Sequence, residues 1–552
     1  MKIAYFSPLL PLKTGIAVYS KYLIPYLAEI SELEIYHAGF YEPLPNIKVN
    51  DFISNPCVLK NLDSFDSIIY HIGNNPWYHL DIYRVLLERP GTVVLHDVVL
   101  YYLIAGCGIG GLIKEFCYNY GVERLFEVWD IVRESTDNNI LRYSNPAKYP
   151  LIGRVLENAK QIIVHSQSAA ELIRASGYQS CVYVSNLIYY PHQVSHFSIE
   201  NSPIFRKKLN IEKNQILIGS FGFIGPTKRM DKLFSALYKI KKISKKIQFK
   251  FLIVGEGENL NSLIDQFNLS ENVINLGFTT EEDFNRYLNM VDIIVNLRYP
   301  SMGEASASLI QAMSFGKPVI VTNHAWFSEL PDHVVIKVGF GSTEVDEIAQ
   351  AITKLVTDEE YRKSIGSNAK IYVENFCSPL QVAGKYLSIL NENIESLSLI
   401  NSRSRYIQQK LLQQKLPAWV LQYLQGKSTD LTQHQLLIDV SGTSQNDLKT
   451  GIERVARALI IAFLESPPAD YRIEPVYLSN EGGIWRYRYA RRYTLGLLEQ
   501  SSNALTDDVV EARNGDILLG VDLSGHRLIE AQASGLYEQL HNVGVSIYSV
   551  VF

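Results

Sequence analysis

Cysteine is scarce in this chain, with five in 552 residues: Cys57, Cys107, Cys117, Cys181 and Cys377. They form neither a Cys-x-x-Cys pair nor a regular framework. A structural zinc site and a disulfide-stapled secreted fold are therefore excluded as readings, and a reducing compartment, the cytoplasm, is the default. Charge of one sign is lacking too: 52 basic against 57 acidic side chains leave a net charge of -5, which gives no global attraction to nucleic acid. No apolar run reaches the roughly 20 residues that a bilayer-crossing helix needs. The nearest approach, Val98 to Ile113, has 16 residues. Gly106, Gly108, Gly110 and Gly111 near its end read as a loop after a buried helix, with a lipid-touching patch as the alternative. The start of the chain, KIAYFSPLLPL, has no charged n-region and no cleavage site, so no signal peptide is read there.

What is present is globular in composition. Apolar residues make up 47% and charged residues 20%, and the 34 tyrosines are ordinarily amphipathic packing residues rather than platforms for sugars or bases. The length implies three or four domains of usual size. Residues 1–185 alternate short β-rich runs with amphipathic segments, the pattern of a parallel α/β sheet. Strands are read at Ile3 to Ser7, Ser67 to His71, Thr92 to His96 and Gln161 to His165, with Ser166 as an N-cap. Gly15 sits in the Lys13-Thr14-Gly15-Ile16 turn between the first strand and its helix, where it lets backbone approach a ligand. Asn74, His96 and Asp97 follow strand ends, the expected lining of a cleft.

Residues 186–209 read as a hinge, and 210–393 as a second α/β domain. That domain carries a Gly222-to-Arg229 turn with Lys228, and a strand ending in Gly255. A lysine-rich helix bearing Lys239, Lys241, Lys242, Lys245 and Lys246 reads as a solvated face, with attraction to anionic lipid as the sharper alternative. A linker is read at 394–435. From 436 to 552 the pattern of the first domain returns, Lys449-Thr450-Gly451-Ile452 repeating Lys13 to Ile16 between a short strand and an amphipathic helix.

The stretch Arg298 to Asn323 organises the rest. It reads as strand, small-residue turn, helix and strand, with Glu304 at the turn and Ser306, Ala307 and Ser308 opening the helix, small enough to let backbone N–H groups approach an anion. Pro300-Ser301, Glu304, Gln311-Ala312-Met313 and Gly316-Lys317-Pro318-Val319 together resemble the donor-site signature of retaining glycosyltransferases of family 4, with Gln311 standing where the family's second Glu holds the nucleotide ribose.

The resemblance implies a GT-B fold, α/β with two facing Rossmann-like domains and parallel sheets, and here a partial third module at 436–552. It implies retaining transfer of a sugar from a nucleotide diphosphate sugar to a glycan or lipid-linked acceptor, with GDP-mannose first and UDP-glucose or UDP-galactose second. By that likeness His96, Lys228 and Glu304 are catalytic. Gly15, Gly222, Arg229, Gly255, Ser306, Ala307, Ser308 and Gln311 bind the donor, and Asn74 and Asp97 lie on the acceptor side. Phe223 occupies the position of a family arginine, and Arg229 is the neighbouring candidate for its charge. No Asp-x-Asp motif is present, and no metal or other cofactor is expected. Peripheral membrane contact follows if the acceptor is lipid-linked. The alternatives are a nucleotide-sugar epimerase and a non-catalytic sugar-nucleotide scaffold.

Overall fold

The structure, a computed structural model, describes residues 1–121, 124–178, 181–190, 202–212, 215–243, 247–257, 260–392, 433–445, 451–481, 483–498, 500, 507–521 and 525–550. The middle of the 186–209 hinge, nearly all of the 394–435 linker, Lys245, Lys246 and the Lys449-Thr450 pair lie outside the described residues.

Strands Lys2–Phe6 (β1), Glu32–His37 (β2), Lys48–Asp51 (β3), Ser67–Ile72 (β4), Gly91–Leu95 (β5), Ala159–Val164 (β6) and Val182–Val184 (β7) form one sheet. Its order is β3-β2-β1-β4-β5-β6-β7 and every pair is parallel. Ile216–Phe221 (β8), Phe249–Val254 (β9), Val273–Asn275 (β10), Ile293–Asn296 (β11), Val319–Thr322 (β12) and Ile336–Val338 (β13) form a second all-parallel sheet, ordered β10-β9-β8-β11-β12-β13. Parallel strands need crossovers, and crossover helices bury both faces of a sheet. Accordingly β5, β11 and β12 are buried at every position. In each sheet the order reverses once, between β1 and β4 and between β8 and β11. A crevice opens at such a reversal, beyond the carboxyl ends of the strands, and these loops carry most of the residues singled out from sequence.

Both sheets belong to one compact unit, Met1–Glu115 with Trp129–Glu395. The helix Pro379–Asn391 packs back against Gly15–Ile30, where the Tyr19 and Tyr386 hydroxyls meet at 2.9 Å. Gln161 Nε2 donates to the Ile389 carbonyl at 2.7 Å. The strand ends also touch: the Val98 and Val99 N–H groups donate to the Met302 carbonyl at 2.9 and 3.1 Å. Glu329 accepts from the N–H groups of Gln167 and Ser168 at 2.9 and 2.7 Å, at the start of the helix Gln167–Ala175 that Ser166 caps. The carboxyl edges of the two sheets therefore face each other across one cleft. Tyrosine serves packing here, with Tyr5, Tyr19, Tyr36 and Tyr70 among the largest fully buried side chains.

The other unit, Phe116–Val128 with Ser396–Phe552, holds a third sheet of His434–Asp439 (β14), Tyr471–Glu481 (β15), Ile484–Tyr489 (β16), Ile517–Gly520 (β17) and Ser546–Ser549 (β18), ordered β16-β15-β14-β17-β18. Its run β15-β14-β17-β18 is parallel and repeats the order β2-β1-β4-β5. Gly451 opens the helix Gly451–Glu465 after β14 as Gly15 opens Gly15–Ile30 after β1. The antiparallel β15–β16 pair has no counterpart in the first sheet.

One expectation is corrected. Gly108, Gly110 and Gly111 lie in a helix, Gly108–Tyr120, rather than in a loop. The chain breaks just before, after the short helix Tyr101–Ala105, and Gly108 adopts φ +77°. A helical glycine costs about 1 kcal/mol against alanine, which lowers helicity without forbidding it. None of the five cysteines is in a disulfide. No helix among the described residues is long and apolar enough to cross a membrane.

Candidate functional site

The wall formed by the second sheet is built from the loops after β8 and β11. Gly255, at φ +150°, ends β9 so close to the neighbouring loop that a Cβ there would lie 2.1 Å from the Gly222 carbonyl oxygen. That approach holds the 222–229 loop down on the strand ends. Within the loop Phe223 points out, 75% exposed, while Lys228 turns in and is buried. The Lys228 ammonium donates to the Phe221 carbonyl at 3.1 Å and to Asn296 Oδ1 at 2.8 Å. Asn296 Nδ2 donates to Ser306 Oγ at 2.9 Å, and Ser306 caps the helix Ala307–Ser314 by accepting from the Leu309 N–H. The Ser306 and Ser308 hydroxyls lie 3.2 Å apart. Lys228, Asn296 and Ser306 thus tie both switch-point loops to one helix N-terminus. Burial, and after it the positive charge of Arg298, push the Lys228 pKa well below its ordinary value, with Glu304 opposing.

Arg229 goes elsewhere. At φ +56° its backbone turns the side chain onto Glu344, whose fully buried carboxylate takes both edges of the guanidinium, Nε to Oε1 at 3.0 Å among them. Such a fork-to-fork pair is geometrically satisfied, so Arg229 is not a spare cation for the cleft. Gln311 is similarly occupied. It is buried, its Oε1 accepts from the Tyr190 N–H at 3.0 Å and its Nε2 donates to Asn285 Oδ1 at 3.2 Å, so the amide anchors the hinge end to the second sheet.

Glu304 is nearly buried and accepts three bonds, from Arg298 Nη1 at 2.8 Å, Ser301 Oγ at 3.0 Å and the Met302 N–H at 2.6 Å. Those contacts shape the 301–304 turn that meets Val98 and Val99. Arg298 is the residue that sequence reasoning missed. It follows β11 at the switch point and keeps 22% side-chain exposure, and its buried Nε has no partner. A buried donor left unpaired costs about 1–3 kcal/mol. The signal was its position two residues past a buried strand that itself ends on a polar Asn296.

On the opposite wall Asp97 accepts from the Asn74 N–H at 2.8 Å. Burial first, and then the Glu304 carboxylate, push Asp97 up to about 7, against the pull of the Asn74 N–H and Arg298. Asn74 Oδ1 accepts from the Tyr102 and Leu103 N–H groups at 2.8 and 3.2 Å, so the side chain is a cap and its backbone is the acidic residue's partner. Gly15 opens its helix with nothing within 4 Å of a notional Cβ.

His96, itself half-buried, belongs to a row of imidazoles in which His71, His79 and His165 are buried. The Ser185 carbonyl can only accept, so His165 Nδ1, 3.0 Å away, carries a proton. His165 Nε2 then accepts from His96 Nδ1 at 3.2 Å, and His96 Nε2 accepts from His71 Nδ1 at 2.9 Å. His71 Nε2 is left as a bare buried acceptor, and His79 Nδ1 donates to the His71 carbonyl at 3.1 Å. Both ring nitrogens of His96 are therefore already used. Burial pushes all four histidines down, His79 and His165 to about 4.

The lysine-rich helix Met230–Ile243 lies apart from this set. Lys239 pairs with Asp346, Lys241 donates to the Asn268 carbonyl at 3.1 Å, and the Lys242 ammonium lies 4.7 Å from the Tyr238 ring centroid.

Comparison with known proteins follows this geometry. Residues 201–372 match the family model described as glycosyl transferases group 1. The serotype-specific mannosyltransferase WbdA of Escherichia coli is 25% identical over 399 residues, covering 67% of this chain and 45% of WbdA. An uncharacterized glycosyltransferase of Methanocaldococcus jannaschii, MJ1069, is 32% identical over 174 residues, covering 30% of this chain and 42% of that protein. The chain thus spans less than half the length of these curated relatives. Among solved structures, Anabaena Alr3699/HepE in complex with UDP-glucose matches with a TM-score of 0.50 at 18% identity, over 71% of this chain and 99% of that one. At that identity the likeness shows the fold, which is GT-B.

Proposed function

We infer that this chain, in which residues 201–372 form a glycosyltransferase group 1 domain, transfers a sugar from a nucleotide diphosphate sugar to a glycan acceptor in polysaccharide assembly, with retention at the transferred carbon. The observation that carries this reading is the meeting of two switch-point edges in one cleft. Lys228, Glu304 and the start of helix Ala307–Ser314 stand on one wall, and Asn74, Asp97 and His96 on the other. Mannose from GDP-mannose is the first donor, supported by the likeness to WbdA.

Catalysis on this reading is mainly electrostatic. The bond from the sugar to the diphosphate breaks while the acceptor hydroxyl bonds to the same face, and the hydroxyl's proton passes to the departing phosphate oxygen. The first N–H groups of a helix have no intrahelical acceptor. Those of Ala307 and Ser308, together with the helix dipole, are aimed where the diphosphate gains charge. Glu304 holds donor hydroxyls, Lys228 and Asn296 fix the loops that carry the phosphate site, and His96 lines the sugar side with its ring locked. Asp97 sits on the acceptor side, and Gln311 contributes by fixing the hinge end. No resident metal is invoked. A lipid-linked acceptor would bring the chain to the membrane surface as a peripheral protein on the cytoplasmic side.

The test is incubation with radiolabelled GDP-mannose, UDP-glucose and UDP-galactose and a panel of synthetic and lipid-linked oligosaccharides. Label from GDP-mannose is expected in an acceptor, at a rate unchanged by EDTA. A rate abolished by chelation and restored by manganese or magnesium overturns the metal-free mechanism. Bound nucleotide with label in no acceptor makes the chain a scaffold.

Gly15→Ala gives a second check. Its added methyl meets no protein atom, so stability should move by less than about 0.5 kcal/mol. A donor packed against that backbone would feel the methyl as overpacking, and kcat/KM should fall about tenfold. Unchanged kcat/KM would remove Gly15 from the donor site.

A further inference from the structure

We propose that Arg298 is the cation that receives the terminal phosphate of a nucleoside diphosphate in this cleft, and that Glu304 holds the guanidinium ready for it. The proposal rests on the transferase reading and names a residue within that site. A diphosphate approaching the edge of the second sheet needs a positive charge that is both present and uncommitted. Lys228 is buried on the Phe221 carbonyl and Asn296. Arg229 is spent on Glu344. Phe223, exposed on the first switch-point loop, carries no charge. Arg298 stands on the second loop and its electrostatic influence reaches both Lys228 and Asp97, which places it among the groups of both walls. Only its Nη1 is engaged by the Glu304 carboxylate. The Nε is buried without a partner and the side chain keeps 22% exposure, so the planar fork is incompletely satisfied at rest and a turn toward the cleft would offer it to two oxygens of one phosphate, the geometry that guanidinium and phosphate share.

Glu304 is held by Ser301 and the Met302 N–H as well as by Arg298, so it stays in place when Arg298 turns to a phosphate. One carboxylate thus orients the cation before binding and is partly released by it, free to take a sugar hydroxyl.

The experiment measures dissociation constants of GDP, UDP, GMP and UMP for the wild-type chain, Arg298→Gln and Arg298→Lys, with thermal melting of each as a check on folding. Arg298→Gln should weaken the diphosphate that the wild type binds by roughly 10- to 100-fold and leave its monophosphate within about threefold, since the monophosphate lacks the outer group. Arg298→Lys, which keeps a charge but loses the fork, should fall between. It also carries the test if the Gln variant does not fold. Equal diphosphate affinity in the wild type and either folded variant overturns the role of Arg298, and leaves it as a support for Glu304. A wild-type chain that binds neither GDP nor UDP fails the transferase reading itself, and this inference with it.

Discussion

Glu304→Ala is expected to lower kcat by about 10²–10³, some 3–4 kcal/mol of transition-state stabilisation, while nucleoside diphosphate binds no more weakly than in the wild type. The split follows from the contacts of this carboxylate. Its partners at rest are Arg298, Ser301 and the Met302 N–H, and its proposed partners in the reaction are hydroxyls of the donor sugar. Neither set includes the nucleotide. Removing the carboxylate takes away the group that orients Arg298 and, with it, the negative charge that competes with a phosphate for that guanidinium, so the two effects on diphosphate binding offset. Loss of the turn's three anchors loosens residues 301–304, and that loss falls on sugar placement, hence on kcat. A variant that keeps full kcat would strip Glu304 of a reaction role. One that loses nucleotide affinity tenfold with kcat preserved would move it to the nucleotide side.

The residues whose placement was legible in sequence were those tied to strand periodicity and helix starts. Ser306 before an apolar helical face announced a cap, and Ser306 caps that helix. Apolar runs such as Val319 to Val321 announced buried parallel strands, and β12 is one. Illegible were the partners of long polar side chains. Nothing local to Arg229 says that Glu344, 115 residues on, would claim it. Nothing local to Gln311 says that its amide would cap the Tyr190 N–H across the hinge. Arg298 and Asn296 looked like the tail of a strand, and became site residues only because β11 is the neighbour of β8 at the reversal of the sheet. The histidine row needed three strand ends, β4, β5 and β6, to be adjacent, a fact of topology rather than pattern. In the other unit the β15–β16 hairpin is absent from the sequence reading, although Arg486 and Arg488 alternate with the buried Tyr487 and Tyr489 in the period-two pattern of a half-buried strand.

That histidine row makes a second large effect calculable: the unit holding it should lose about 3–4 kcal/mol of stability between pH 7.5 and 5.5. His71, His79, His96 and His165 are neutral in the fold, their pKa values pushed below the ordinary 6.5 by burial, and the Tyr5 and Tyr19 rings packed around them offer no compensating charge at these pH values. The unfolded chain takes protons on these imidazoles as pH falls through about 6.5 while the folded chain does not. Each such group therefore favours unfolding by about 1.4 kcal/mol at pH 5.5. Asp97 acts with the opposite sign. Held up at about 7, it takes its proton in the folded state long before the unfolded one, and returns about 2 kcal/mol over the same interval. Four histidines outweigh one aspartate, so stability is full above pH 7 and declines on acidification. Urea melts at pH 7.5, 6.5 and 5.5 measure the slope. His79→Gln, which keeps a donor for the His71 carbonyl but does not titrate, should flatten it by roughly 40%, whereas Asp97→Asn should steepen it by removing a group that favours the fold in acid. A wild-type stability that is level from pH 7.5 to 5.5 would mean that the row is charged or open to water at neutral pH, and the tautomers assigned along Ser185, His165, His96 and His71 would fall with it.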